Sequence, residues 1–137
     1  MKKTYANRDV AVIYDAALCI HARRCVEGAP AVFDPSARPW VQPSRGEVDR
    51  IAEVVARCPT GALRYERLDG GPPERAPAEL TISVEKGGPL YVRGSSLATH
   101  AFGAAHSGST RYALCRCGGS GNKPFCDGTH RTTSFEE

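Results

Sequence analysis

The chain has 137 residues, 41% of them hydrophobic and 24% charged, an ordinary balance for a soluble protein with at least one packed core. A formal net charge of +3, with no Lys/Arg stripe and no interleaved aromatics, argues against a nucleic-acid surface. No apolar run approaches the roughly 18 residues a membrane span needs, and the start "MKKTYANRDVAVIY" lacks the apolar stretch of a secretory leader. The location expected from these features is the cytoplasm. Its six cysteines are then better suited to metal ligation than to disulfides, because reducing conditions disfavour structural disulfides.

In chain order, "VAVIY" (10–14) is β-branched and aromatic and predicts a strand. "SRGEVDRIAEVVARCPTG" predicts a helix that opens with Ser44 and Glu47 in capping-box spacing. Val48, Ile51, Val55 and Cys58 recur on its apolar face. Pro59 ends that helix, Gly61 supplies a turn, and "ALRYE" (62–66) returns as a strand beside the first. Phe33, Trp40 and Ile51 are expected in the core.

"LDGGPPERAPAE" (68–79) is rich in glycine, proline and charge, and reads as a connector. It divides the cysteines into Cys19, Cys25 and Cys58 on one side and Cys115, Cys117 and Cys126 on the other. The expected organisation is residues 1–68, a linker over 69–78, and residues 79–137. Each half is small enough that a metal centre would add to a marginal core. The fold class expected is α+β: a small α+β unit, then a mostly-β unit.

In the second half, "LTISVE" (80–85) alternates Leu80, Ile82 and Val84 with polar residues and predicts a half-buried strand. "GGP" (87–89) turns the chain, and "LYVRG" (90–94) and "RYALCRC" (111–117) predict two more strands. The stretch 95–110, with His100 and His106, reads as a surface loop. In an extended segment Cys115 and Cys117 point the same way. Cys126 and His130, four apart, would share one face of a short helix starting near Pro124. Three thiolates and an imidazole could hold zinc. The spacing of the two pairs suits a wider centre, with each pair on a different iron of a [2Fe-2S] cluster.

Residues 115–130, "CRCGGSGNKPFCDGTH", resemble the signature of the CDGSH iron-sulfur (mitoNEET-like) family at Cys115, Cys117, Ser120, Pro124, Cys126, Asp127, Gly128, Thr129 and His130. The resemblance implies [2Fe-2S] ligation by Cys115, Cys117, Cys126 and His130, and allows a homodimer. With one imidazole replacing a thiolate, the potential is expected between roughly −400 mV for plant-type ferredoxins and the roughly −150 to +300 mV of two-His Rieske centres. Protonation at His130 is expected to accompany reduction, and protonation of its metal-binding nitrogen to release the cluster at low pH. Asp127 is expected to cap the short helix. Arg116, Lys123 and Arg131 are expected as solvated charges, available to tune the centre or dock a partner.

"CIHARRCVEGAPAVFDPSARPW" and "CPTGALRY" resemble the divergent single-cluster ferredoxin domain. This resemblance implies a second cluster on Cys19, Cys25 and Cys58. Ala22 stands where a bacterial-type Cys-x2-Cys-x2-Cys loop has its middle cysteine. Three thiolates favour [3Fe-4S], with [4Fe-4S] completed by His21, Asp15 or solvent as the alternative. The expected function is single-electron transfer with a partner protein, not an enzyme with catalytic residues. The alternative is a cluster carrier or a pH or redox sensor. "GGSG" lacks the Lys-Ser/Thr of a phosphate-binding loop.

Overall fold

The computed structural model describes residues 2–94 and 110–136. The chain divides into two compact units. The first comprises Met1–Ala16, Ala22–Cys58 and Ala62–Glu74, and the second Ala17–His21, Pro59–Gly61 and Arg75–Glu137. Each has one three-stranded antiparallel sheet among its described residues, a small α+β arrangement. No helix among the described residues is long and apolar enough to cross a membrane.

The sheet of the first unit has the order β1-β2-β3, from β1 (Lys2–Ala6), β2 (Val10–Asp15) and β3 (Leu63–Arg67). β2 lies in the centre, with Val12 paired to Tyr5 on one side and Tyr65 on the other. The expected pairing of the first and last strands is therefore found. β1 is additional. Its sequence "KKTYA" has no apolar alternation and is mostly exposed; pairing with β2 and the packing of Tyr5 against the core recruit it.

Across this sheet lies α2 (Val48–Ala56), with a shorter helix, α1 (Arg24–Gly28), before it. Ile51, Val54 and Val55 of α2 are fully buried, together with Val10, Val12 and Phe33. Burial of each such side chain contributes about 1.5–3 kcal/mol. Trp40 packs on the margin of this core, edge-on to Tyr14 with ring centroids 4.9 Å apart. The capping box does not form. Ser44 belongs to a 3-10 turn begun by Pro43, and Gly46 is extended. Glu47, the N-cap, makes no side-chain cap hydrogen bond. The helix thus starts four residues after Ser44. It also ends before Cys58, whose N–H bonds back to Val55.

The sheet of the second unit has the order β4-β5-β6, from β4 (Thr81–Val84), β5 (Leu90–Arg93) and β6 (Arg111–Leu114). The 85–88 turn is closed by Gly88 N–H to the Glu85 carbonyl, and Gly87 takes φ +67°. β4 corrects the sequence reading, which expected it half-buried. Ile82 and Val84 are 60% and 59% exposed, because an edge strand needs only its β5 hydrogen bonds to form. β6 ends at Leu114, short of Cys115 and Cys117. The expected surface loop with His100 and His106 lies outside the described residues, except Thr110.

Candidate metal centres

Cys115 to His130 form a loop that returns on the end of β6. Cys115 N–H bonds to the Pro124 carbonyl (2.9 Å) and Cys126 N–H to the Ala113 carbonyl (2.8 Å). These two bonds bring the ligand pairs to the same strand end. Inside the loop, Ser120 is buried and its hydroxyl donates to the Phe125 carbonyl while accepting from Asn122 N–H. Phe125 stacks on Tyr112, also buried.

The expected helix from Pro124 is absent. Gly128 takes φ +89°, a left-handed conformation that interrupts any α-helix, and only a 3-10 turn, Thr129–Arg131, follows. Asp127 stabilises this arrangement from both sides. One carboxylate oxygen accepts from Thr129 N–H (3.0 Å) and the Thr129 hydroxyl (2.5 Å), and the other from Gly121 N–H (2.8 Å). The N-cap of the 3-10 turn is Gly128, and Asp127, one residue earlier, ties the turn to the glycine-rich segment. The Thr129 hydroxyl and these N–H groups hold its carboxyl below the usual range.

The side chains meet all the same. The Cys115 and Cys117 sulfurs are 3.9 Å apart, and the Cys126 sulfur is 3.4 Å from His130 Nδ1. Two ligands on one tetrahedral metal, with bonds of about 2.3 Å to sulfur and about 2.0 Å to nitrogen, are roughly 3.5–3.8 Å apart. Each pair therefore has the bite for one metal ion. All four side chains line one cleft, with Gly88 and Pro89 at its wall. Among the described residues no three Cys, His, Asp or Glu side chains group around a single ion; the donors come as pairs.

Electrostatics suit metal binding unevenly. Burial pushes the Cys115 thiol up, but backbone N–H groups of Ser120 and Gly118 and the Cys117 thiol outweigh it, leaving it lowered. Cys126 is raised, chiefly by burial and then by the Asp127 charge. His130 is lowered by burial and by the neighbouring Arg131, which favours the neutral imidazole that a metal requires.

Arg116 and Arg131 correct the expectation of freely solvated charges. Arg116 donates to the carbonyls of Gly88 (2.8 Å) and Glu85 (2.9 Å), and its guanidinium lies 5.1 Å from the Phe135 ring centroid. Arg131 donates to the Ile20 carbonyl. Lys123 is exposed.

Of the other cysteines, Cys25 lies in α1 and Cys58 follows α2, both packed against the core of the first unit. Cys19 lies in the Ala17–His21 segment of the second unit. Its sulfur accepts from His21 N–H (3.4 Å) and lies 4.0 Å from His21 Nδ1. Cys117 and Cys126 accept from Gly119 N–H and Gly128 N–H at the same 3.4 Å and the same two-residue spacing. Such bonds favour the thiolate, the form that binds metal. His21 itself takes φ +57°, and Arg23 takes φ +65° just before α1, conformations disfavoured for most residues with a Cβ. Sequence pattern alone does not show this. Asp15 is buried at the end of β2, its N–H bonded to the Ala62 carbonyl.

Residues 5–68 match the family described as divergent 4Fe-4S mono-cluster, and residues 87–131 the family described as iron-binding zinc finger, CDGSH type. The chain is 32% identical over 63 residues to the uncharacterized protein YjdI of Escherichia coli (strain K12), an alignment covering 46% of this chain and 83% of that protein. The YjdI protein of Escherichia coli O157:H7 matches to the same extent. No solved structure matches the chain. With paired donors in the CDGSH loop and N–H-supported sulfurs in both matched regions, the chain belongs to the divergent 4Fe-4S mono-cluster family, carries a CDGSH domain after it, and is an iron-sulfur protein.

Proposed function

We propose that this protein is a single-electron carrier with two unlike iron-sulfur centres, exchanging electrons with a partner redox protein and having no catalytic residues of its own. The first centre is a [2Fe-2S] cluster held by Cys115, Cys117, Cys126 and His130. The observation that carries this reading is the pair of bites, 3.9 Å between two sulfurs and 3.4 Å between sulfur and Nδ1. Two such pairs suit two irons better than one zinc ion. A cluster bound there would supply one-electron chemistry at a potential raised by the single imidazole.

The second centre is held by Cys19, Cys25 and Cys58. Three thiolates favour three irons, and the family description favours four; iron counting separates the two. The chain's own residues do the rest. Backbone N–H groups support the Cys19, Cys117 and Cys126 sulfurs, Gly88 and Pro89 wall the cleft, and Arg116 fixes that wall to the cysteine segment.

Dithionite reduction and air reoxidation of the purified protein, followed by EPR, test this reading. Reversible cycling of both centres without loss of iron supports a carrier of electrons. Transfer of the His130-ligated cluster to an apo-protein on the same timescale would favour a carrier of clusters.

A further inference from the structure

We propose that Asn122 and Arg131 clamp the Cys19 segment to the loop bearing Cys117, Cys126 and His130, so that emptying the N-terminal centre loosens the hold on the [2Fe-2S] cluster. The proposal rests on the two-centre reading above. The Ala17–His21 segment falls within the 5–68 family match yet packs in the second compact unit. Leu18 and Ile20 anchor it there, 6% and 2% exposed.

Two side chains of the CDGSH loop hold this segment. Asn122, between Cys117 and Cys126, donates through Nδ2 to the Ala17 carbonyl (2.9 Å). Arg131 donates through Nη1 to the Ile20 carbonyl. Arg131 follows His130 and Ile20 follows Cys19. One ligand is thus joined to the other by a peptide link, a single side-chain hydrogen bond and a second peptide link.

Neither Asn122 nor Arg131 is a ligand; both are positioning residues. With Cys19 bound to a cluster, the 17–21 backbone is pinned and its carbonyls stay aimed at the loop. When Cys19 is released, the segment gains freedom. The loop then loses two fixed acceptors. Hydrogen bonds of this kind, one from a charged donor, support an effect of about fivefold to tenfold.

The test is a double-mutant cycle on the full-length reconstituted protein. Cys19→Ser removes a ligand of the N-terminal centre. Arg131→Lys keeps the charge beside His130 but removes the guanidinium fork, and Asn122→Ala is a second, uncharged way to open the clamp. The readouts are the half-life of the [2Fe-2S] visible absorption and the midpoint potential of that centre followed by EPR.

In the wild-type background Cys19→Ser is expected to shorten the half-life about fivefold and to shift the potential. In the Arg131→Lys and Asn122→Ala backgrounds its effect should fall to less than half. An equal effect in every background, or none in the wild type, overturns the clamp. Iron and sulfide analysis of the same samples identifies failure of the underlying reading: wild-type protein with one centre per chain removes the two-centre account and the clamp together.

Discussion

His130 turns Nδ1 toward the Cys126 sulfur, 3.4 Å away, although the backbone between them is not α-helical. The pairing survives because Asp127 and Gly128 replace a helical turn with a tighter one. A left-handed glycine reverses the chain and a carboxylate ties the reversal to Gly121.

The ligand assignment predicts a specific loss of iron. His130→Ala should reduce the [2Fe-2S] content at least tenfold, whereas His130→Cys should keep the cluster and lower its potential toward the roughly −400 mV of four-cysteine sites. Iron and sulfide analysis with a redox titration checks both.

Asp127 sets an acid limit on loop stability. Its folded pKa is depressed, first by the Thr129 hydroxyl and then by the N–H groups of Gly121 and Thr129. Its contribution is therefore full above the ordinary carboxylate range and fades as pH falls through the folded value. Asp127→Ala should destabilise the loop by about 1 kcal/mol, given its exposure. The difference from wild type in thermal midpoint, followed between pH 7 and pH 2, should shrink toward acid pH.

Arg116 is expected to act through geometry as well as charge. It reaches two carbonyls of the 85–88 turn at once. Arg116→Lys keeps the charge but loses the fork. Loss of visible absorption should accelerate several-fold in Arg116→Ala, with Arg116→Lys restoring less than half of the difference.

The α2 packing predicts a core effect in the first unit, against whose core Cys25 and Cys58 also pack. Ile51 is fully buried, so Ile51→Ala should cost about 2–5 kcal/mol. Denaturant unfolding measures it. The visible spectrum of the CDGSH centre in native buffer should be retained.

Much of this was legible in the sequence because short-range chemistry governs it. The 3.6-residue recurrence in α2 and the β-branched run of β2 are local signals, as are the cysteine spacings. What escaped depended on longer-range partners or on backbone sign. β1 forms by pairing with β2, and α1 follows a left-handed Arg23. The alternation in β4 was real but does not mark burial: its apolar side chains stand on an edge strand, exposed. Arg116 and Arg131 looked like surface charges because their partners, backbone carbonyls 28 and 111 positions away, leave no mark in local sequence.

The central claim is two unlike iron-sulfur centres on one chain, and anaerobic EPR combined with iron and sulfide analysis of freshly purified protein tests it most directly. The account predicts a reduced [2Fe-2S] signal and a second signal from the N-terminal centre, with about five or six irons per chain, two plus three or four. Zinc in place of iron, or about two irons and one signal, would contradict it.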